Sequence, residues 1–247
     1  MSQLFFGYND FFPYLMPTSS AMLHFLGREV QNWQGLHILD TACGDGALAQ
    51  ELADNGARVT ALEADANVVA HAAEVSRRGG NLKRPDFFLG GPDSFPDTTA
   101  SYHMILCLNN AIAVLQNEAA LRAFLNRAAT QLEPSGRLVL QLFNYDRILD
   151  HHDYTLEDIL RPAWGITVRR SLQPDGSGGL TLQSRIEILR PDAMELSTYR
   201  TYLWPVRRHQ LNNYCKESGF TTVHFYADLE ASTWQADSYS TLLVAIR

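Results

Sequence analysis

Between residues 38 and 46 the chain reads Ile38-Leu39-Asp40-Thr41-Ala42-Cys43-Gly44-Asp45-Gly46, an apolar run that closes on a carboxylate and is followed by two glycines. Glycine permits left-handed backbone and close approach by a ligand, and a helix starting just behind it offers free N–H groups to a polar or anionic group. Glu63 ends the next apolar run, where a carboxylate can accept hydrogen bonds from both hydroxyls of a ribose. A glycine turn alone says little; paired with a strand-end carboxylate it describes a nucleoside site. Other candidates are weaker. His151-His152-Asp153 has metal-ligating residue types, but adjacent side chains diverge, so a solvated turn is expected there and no metal site. Cys43 has no evident histidine partner and is expected to pack. Tyr8, Tyr14, His24, His103 and Tyr145 are side chains able to take a proton, with Tyr14, His103 and Tyr145 the candidates for a catalytic role.

The hydrophobic pattern supplies the elements that must hold these residues. Apolar runs over residues 36–41, 58–63, 87–89, 102–108 and 137–143 predict strands, and helical periodicity over 47–55, 65–78 and 117–132 predicts the helices between them. A Pro134-Ser135-Gly136 turn precedes the fifth strand. Such alternation implies right-handed parallel βαβ units. The fold class is α/β, a Rossmann-like, doubly wound, mostly parallel sheet with its ligand at the carboxyl ends of the strands. Residues 36–150 form that core and residues 206–247, with a helix over 209–218 and strands over 221–226 and 240–246, complete it. Residues 1–35 open with the aromatics Phe5, Phe6, Tyr8, Phe11, Phe12 and Tyr14 and continue as a helix, which suggests packing against the domain or a lid. Residues 151–205 break the rhythm. Segments 166–172, 180–189 and 196–203 follow one another with no helix between them, an antiparallel β insert expected to cap the active site or to build a homodimer. From it Arg169, Arg185, Tyr199, Arg200 and Tyr202 would grip an acidic or hydroxylated substrate.

Composition narrows the partners. A net charge of −7 with no long Lys/Arg run argues against nucleic acid. No apolar stretch approaches the roughly 20 residues that span a bilayer, so no membrane association is expected. Three cysteines without CxxC spacing suggest neither a disulfide framework nor zinc, and a cytoplasmic location fits them.

Residues 40–46 together with Glu63 resemble motif I and the following acidic position of the class I S-adenosylmethionine-dependent methyltransferases. Asp40 fills the acidic position, Gly44 and Gly46 fill two of the three glycines, and Ala42 replaces the first. Cys107-Leu108-Asn109-Asn110 resembles the family's fourth-strand motif, Leu132-Glu133-Pro134-Ser135-Gly136 its turn before strand five, and Glu217-Ser218-Gly219-Phe220 its last helix end. Asn144-Tyr145-Asp146 and residues 225–229 are most similar to small-molecule enzymes of the glycine/sarcosine N-methyltransferase kind. The resemblance implies S-adenosyl-L-methionine as cofactor: Asp40, Ala42, Gly44 and Gly46 around its methionine part, Glu63 on the ribose with Ala64 after it, and Asn109 beside the sulfonium through its carbonyl. Many members carry Gly-Asp after the third strand for the adenine; here stands Gly90-Gly91-Pro92-Asp93, so either Asp93 reaches from a shifted loop or backbone groups serve. The implied reaction is methyl transfer to nitrogen or oxygen of a small molecule. Two alternatives stay open. Gly44-Asp45-Gly46-Ala47-Leu48-Ala49 also fits the dinucleotide fingerprint of an NAD-dependent oxidoreductase, though without an obvious Tyr-x-x-x-Lys pair, and the fold could serve a non-catalytic S-adenosylmethionine-binding protein.

Overall fold

The computed structural model describes residues 20–80, 83–94, 101–190 and 192–247. Tyr8, Tyr14 and the aromatic segment expected to act as a lid lie outside the described residues. A first helix, α1 (Ser20–Arg28), leads into β1 (His37–Asp40), α2 (Ala47–Asp54), β2 (Arg58–Glu63), α3 (Ala66–Arg78), β3 (Asp86–Leu89), β4 (Tyr102–Cys107), α4 (Glu118–Gln131) and β5 (Leu132–Phe143). After the short α5 (Tyr145–His151) come β6 (Thr155–Arg161), β7 (Ile166–Pro174), β8 (Leu180–Leu189) and β9 (Met194–Leu203), then α6 (Arg208–Glu217), β10 (Thr222–Tyr226) and β11 (Ser240–Ile246).

Seven strands form the main sheet in the order β10-β11-β5-β4-β1-β2-β3. Strands β1 to β5 pair in parallel, while β11 lies antiparallel between β5 and β10. Both faces are covered, which is why the strands read as nearly continuous apolar runs. Ile38, Val59, Met104, Leu106, Val139 and Val244 pack on one face with Phe25 and Leu26 of α1 and Leu52 of α2. Leu39, Ile105, Leu138, Leu140 and Leu243 pack on the other with Leu121, Phe124 and Leu125 of α4 and Leu211 of α6. Asp65 caps α3, its Oδ1 accepting from Asn67 N (2.8 Å), and Asn117 caps α4 through Ala120 N (2.9 Å).

The expected meander is a separate four-stranded antiparallel sheet, β6-β7-β8-β9. Its first strand and the helix α5 were not anticipated. In β6 a register irregularity between Leu156 and Ile159 interrupts the two-residue alternation that marks a strand, and Glu157 and Asp158 are exposed. The supposed turn at residues 151–153 is the end of α5: His152 takes a left-handed conformation and Asp153 pairs with Arg147. The Pro134-Ser135-Gly136 turn is present as an irregularity inside β5, with Ser135 at φ 65°.

The register of the second sheet decides which side chains face inward. Leu156, Leu172, Leu180, Leu182 and Leu203 share one face and join the main core, where Trp204 N donates to Ala113 O (2.7 Å) in the single turn that follows β4. Arg169 stands opposite Arg185, and Arg200 opposite Gln183, on the other, outer face, with Glu187 held by Arg185 at 3.1 Å and Arg169 at 3.7 Å. Arg169, Arg185, Arg200 and Tyr202 therefore point away from the main domain, which corrects the expectation that they grip a substrate beneath the insert. Tyr199 alone among those five shares the inner face, packing beside Ile166, Val168 and Ile186.

Candidate active site

The chain leaves β1 toward β2 on one side, whereas β4 pairs on its other side, so a crevice opens where the strand order reverses. Asp40 lies level with Leu106, and Thr41 N–H donates to Leu106 O (2.9 Å), which seats the glycine loop across the ends of β1 and β4. Cys43 N donates to Leu62 O (2.8 Å) and ties the loop to β2 as well. Glu63 links the two turns: its Oε2 accepts from Gly44 N (3.2 Å) and its Oε1 from Ala64 N (2.7 Å) and Asp65 N (3.1 Å).

Two desolvated carboxylates meet here. Burial pushes Asp40 up to about 7, with the nearby Glu63 charge adding to the effect against the Ala42 N–H it accepts at 3.2 Å. Burial also raises Glu63, opposed by its three N–H donors. No side-chain cation figures among the causes acting on either. A positively charged nucleoside-like ligand would satisfy both.

The two glycines of the loop differ. Gly44 (φ 57°) gives its N–H to Glu63 at the crevice. Gly46 (φ 78°) is a packing glycine: a Cβ there would stand 2.6 Å from Cε1 of Phe87 and 3.2 Å from Cβ of Ala72. Ala64 lies beside the Gly91–Ser94 turn, which is closed by Gly91 N to Ser94 Oγ (2.8 Å) and Ser94 N to Gly91 O (3.0 Å). Asp93 is exposed on that turn and accepts from Ser94 Oγ (3.3 Å).

Beyond β4 both Asn109 (φ 54°) and Asn110 (φ 64°) are left-handed, an uncommon conformation that asparagine tolerates best after glycine. Their N–H groups are held by Gln141, Asn109 N to Oε1 (3.3 Å) and Asn110 N to the main-chain O (2.8 Å). Asn110 Oδ1 accepts from Phe143 N (3.1 Å) and from the Tyr145 hydroxyl (3.0 Å). A main-chain N–H only donates, so the amide orientation follows, and the buried Nδ2 is left without a partner. Sequence reasoning named Asn109 and missed Asn110; the tandem asparagines at a strand end were the available signal.

The catalytic candidates fare differently. Tyr145 is 1% exposed, its hydroxyl is engaged by Asn110, and burial pushes the phenol up, so it orients a neighbour and is unsuited to take a proton. His103 sits at the opposite edge of the sheet, where its Nδ1 accepts from His37 N (3.0 Å) and its Nε2 faces Glu133 (3.4 Å). The four residues from His103 to the end of β4 span roughly 13 Å of strand. That distance removes it from the chemistry. His24 is exposed on α1. Asn144, quoted from the sequence only as part of a motif, is fully buried. Its Oδ1 caps α5 through Asp146 N (3.2 Å), and its Nδ2 donates to Ala236 O (2.9 Å) and Ser238 O (2.8 Å), fastening the loop before β11 to the end of β5.

Residues 38–136, from within β1 into β5, match a family model described as a methyltransferase domain. The chain carries a methyltransferase domain. It is 27% identical over 213 residues to a glycine/sarcosine N-methyltransferase of Halorhodospira halochloris, covering 86% of this chain and 76% of that protein. The fold is shared with an S-adenosylmethionine-dependent methyltransferase from Clostridium acetobutylicum (TM-score 0.78, 11% identity, 97% of this chain and 95% of that one). It is shared also with the CcbJ methyltransferase of Streptomyces caelestis (TM-score 0.74, 18% identity, 91% and 92%). The protein is thus an S-adenosylmethionine-dependent methyltransferase, and the oxidoreductase alternative has no support. The sheet itself speaks against that alternative. Dinucleotide folds run 3-2-1-4-5-6, whereas here the antiparallel β11 separates β5 from β10.

Proposed function

We propose that the methyl acceptor is a small amine bearing an oxygen group that Asn110 recognises, and that the transfer takes place at the carboxyl ends of β1 and β4. The observation that carries this reading is the orphaned Asn110 Nδ2, a buried donor beside the crevice. Leaving such a group unmade costs about 1–3 kcal/mol, which a ligand oxygen would recover. The glycine/sarcosine relative supports nitrogen as the accepting atom.

When bound, S-adenosylmethionine would supply a sulfonium-activated methyl group, with the neutral thioether of S-adenosylhomocysteine as the leaving group. The chain's part is to hold, orient and exclude water. In this reading Asp40 faces the cationic methionine part, with Ala42 and Gly44 presenting main chain to it. Glu63 takes the ribose hydroxyls with Ala64 beside it, Asp93 and the turn around it face the adenine, and the Asn109 carbonyl lies beside the sulfur. Gly46 serves by letting Phe87 pack beneath the loop. Asn110, held by Tyr145 and Phe143, aligns the acceptor with the S–CH₃ bond. The amine sheds its proton to solvent before attack.

The insert over residues 151–205 would cap this space from the side of the turn after β4. We also infer a homodimer through the outer face of that insert, where Leu160, Leu189, Met194 and Leu196 are each more than half exposed. A cytoplasmic location is in keeping with three buried, unpaired cysteines. The decisive experiment is methyl transfer from radiolabelled S-adenosylmethionine to glycine, sarcosine and amino sugars, with Asn110→Ala alongside. The reading expects turnover of at least one amine, lost in the variant while S-adenosylhomocysteine still binds. Equal turnover in both proteins would refute the role of Asn110.

A further inference from the structure

Among the described residues, two clefts lie away from the crevice. The larger, about 530 Å³, opens at the amino ends of the strands beside Arg28, Glu29, His103, Glu133 and Arg137. Its polar groups satisfy one another, Arg137 pairing with Glu29 (3.2 Å) and His103 Nε2 facing Glu133 (3.4 Å), and Arg28 donates to Glu230 O (2.7 Å). Nothing there calls for a ligand.

The second cleft, about 420 Å³, runs between the first turn of α6 and β10, an edge strand of the main sheet. Its walls include Arg208, His224, Phe225, Thr233, Trp234 and Gln235, and no carboxylate is among its lining residues. The Arg208 guanidinium lies 5.3 Å from the centre of the Phe225 ring and 4.7 Å from that of Trp234. Asp146 accepts from the main-chain N of Arg208 (2.7 Å) and pairs by side chain with Arg207 (3.4 Å). Arg207 thus has its carboxylates, Asp146 and Asp150, whereas the Arg208 guanidinium makes no ion pair among the described residues. Trp234 is fixed in turn, its Nε1 donating to Thr241 Oγ1 (2.9 Å), and a bridge between Tyr226 and Thr233 holds the loop wall against β10.

We propose that this cleft is a second ligand site, separate from the methyl-transfer crevice, which takes an organic anion with a flat apolar body, such as an aromatic carboxylate. A guanidinium steadied by two rings keeps its fork of N–H donors oriented, which suits the two oxygens of a carboxylate. The ring surface that Phe225 and Trp234 contribute to the lining gives the flat body its apolar contact. The strand order sets three strand spacings, roughly 14 Å, between β10 and β4, which sets the cleft apart from the acceptor position at the ends of β1 and β4.

Benzoate is the probe, and benzamide its neutral counterpart. Titration of the full chain, followed by tryptophan fluorescence and by calorimetry, should give saturable benzoate binding with a dissociation constant on the order of 1 mM or tighter. Benzamide should bind at least about tenfold more weakly, and Arg208→Gln should cost benzoate a similar factor. Trp234→Phe should remove the fluorescence change while calorimetric binding persists. Saturating S-adenosylhomocysteine should leave the benzoate affinity unaltered. Absence of saturable binding, equal affinity for benzamide, or an unchanged affinity in Arg208→Gln would overturn the proposal. Competition from S-adenosylhomocysteine would overturn it too, by placing benzoate in the crevice, and none of these results bears on whether the crevice transfers methyl groups.

Discussion

Replacing Glu63 by Gln keeps the shape of the side chain and removes its charge, which isolates what the carboxylate contributes. Three N–H groups converge on it, from Gly44 on Oε2 and from Ala64 and Asp65 on Oε1. An ionised carboxylate offers about four acceptor positions, so one remains for a ribose hydroxyl. A second hydroxyl must displace Gly44 N, whose 3.2 Å bond is the longest of the three. In the glutamine variant the amide oxygen stays with Ala64 and Asp65, where two donors hold it. The NH₂ group then meets Gly44 N donor against donor, and a ribose hydroxyl loses its acceptor. One or two charge-assisted bonds are forfeited, about 1.5–3 kcal/mol, so S-adenosylhomocysteine should bind about 10- to 150-fold more weakly. Titration calorimetry measures this directly, and thermal unfolding run in parallel should show a folded protein. An affinity within about twofold of the parent, in a variant that melts cooperatively, would show that the carboxylate does not hold the ribose.

Asp40 titrates near 7 in the folded protein, above its ordinary value of 3.8, so the native state binds more protons than the unfolded chain between those limits. The free protein should lose stability as pH rises from about 4 to 7, and Asp40→Asn should flatten that fall when melting temperature is followed against pH. For the same reason binding of the cationic cofactor should release a proton near pH 6, seen as a dependence of the calorimetric heat on buffer ionisation enthalpy. Tyr145→Phe should slow transfer while leaving S-adenosylhomocysteine affinity and the pH profile unchanged, because the phenol orients Asn110 and takes no proton; a displaced profile would contradict that assignment. Asn144→Ala should lower the unfolding free energy by about 2–4 kcal/mol in urea titrations, since it loses a helix cap and two buried bonds at once.

The core of this protein was legible in the chain because its signals are local. Arg58–Glu63 and Ser240–Ile246 are strands with the limits their apolar runs suggest, and Asp65 and Asn117 stop the pattern where caps should stand. The glycine loop was legible for the same reason: Asp40 and Glu63 end their strands and Gly44 takes a left-handed turn, features set by neighbours in sequence. What sequence could not reach depends on contacts between distant segments. Helix α5 is seven residues long and owes its start to Asn144, whose other hydrogen bonds go to residues more than ninety positions away. His103 and Tyr145 carry suitable chemistry as residue types, yet one falls at the wrong end of its strand and the other spends its hydroxyl on Asn110. The arginines of the insert, expected to grip a substrate, face outward because strand register, with its period of two, is decided by which face finds the core. Local pattern determined the sheet and the glycine loop, and the likeness of the motifs to a known family implied the class of reaction; only tertiary packing decided which donor was left unpaired in the crevice, since an orphaned Nδ2 exists only once Phe143 and Tyr145 have folded over the other end of the same amide.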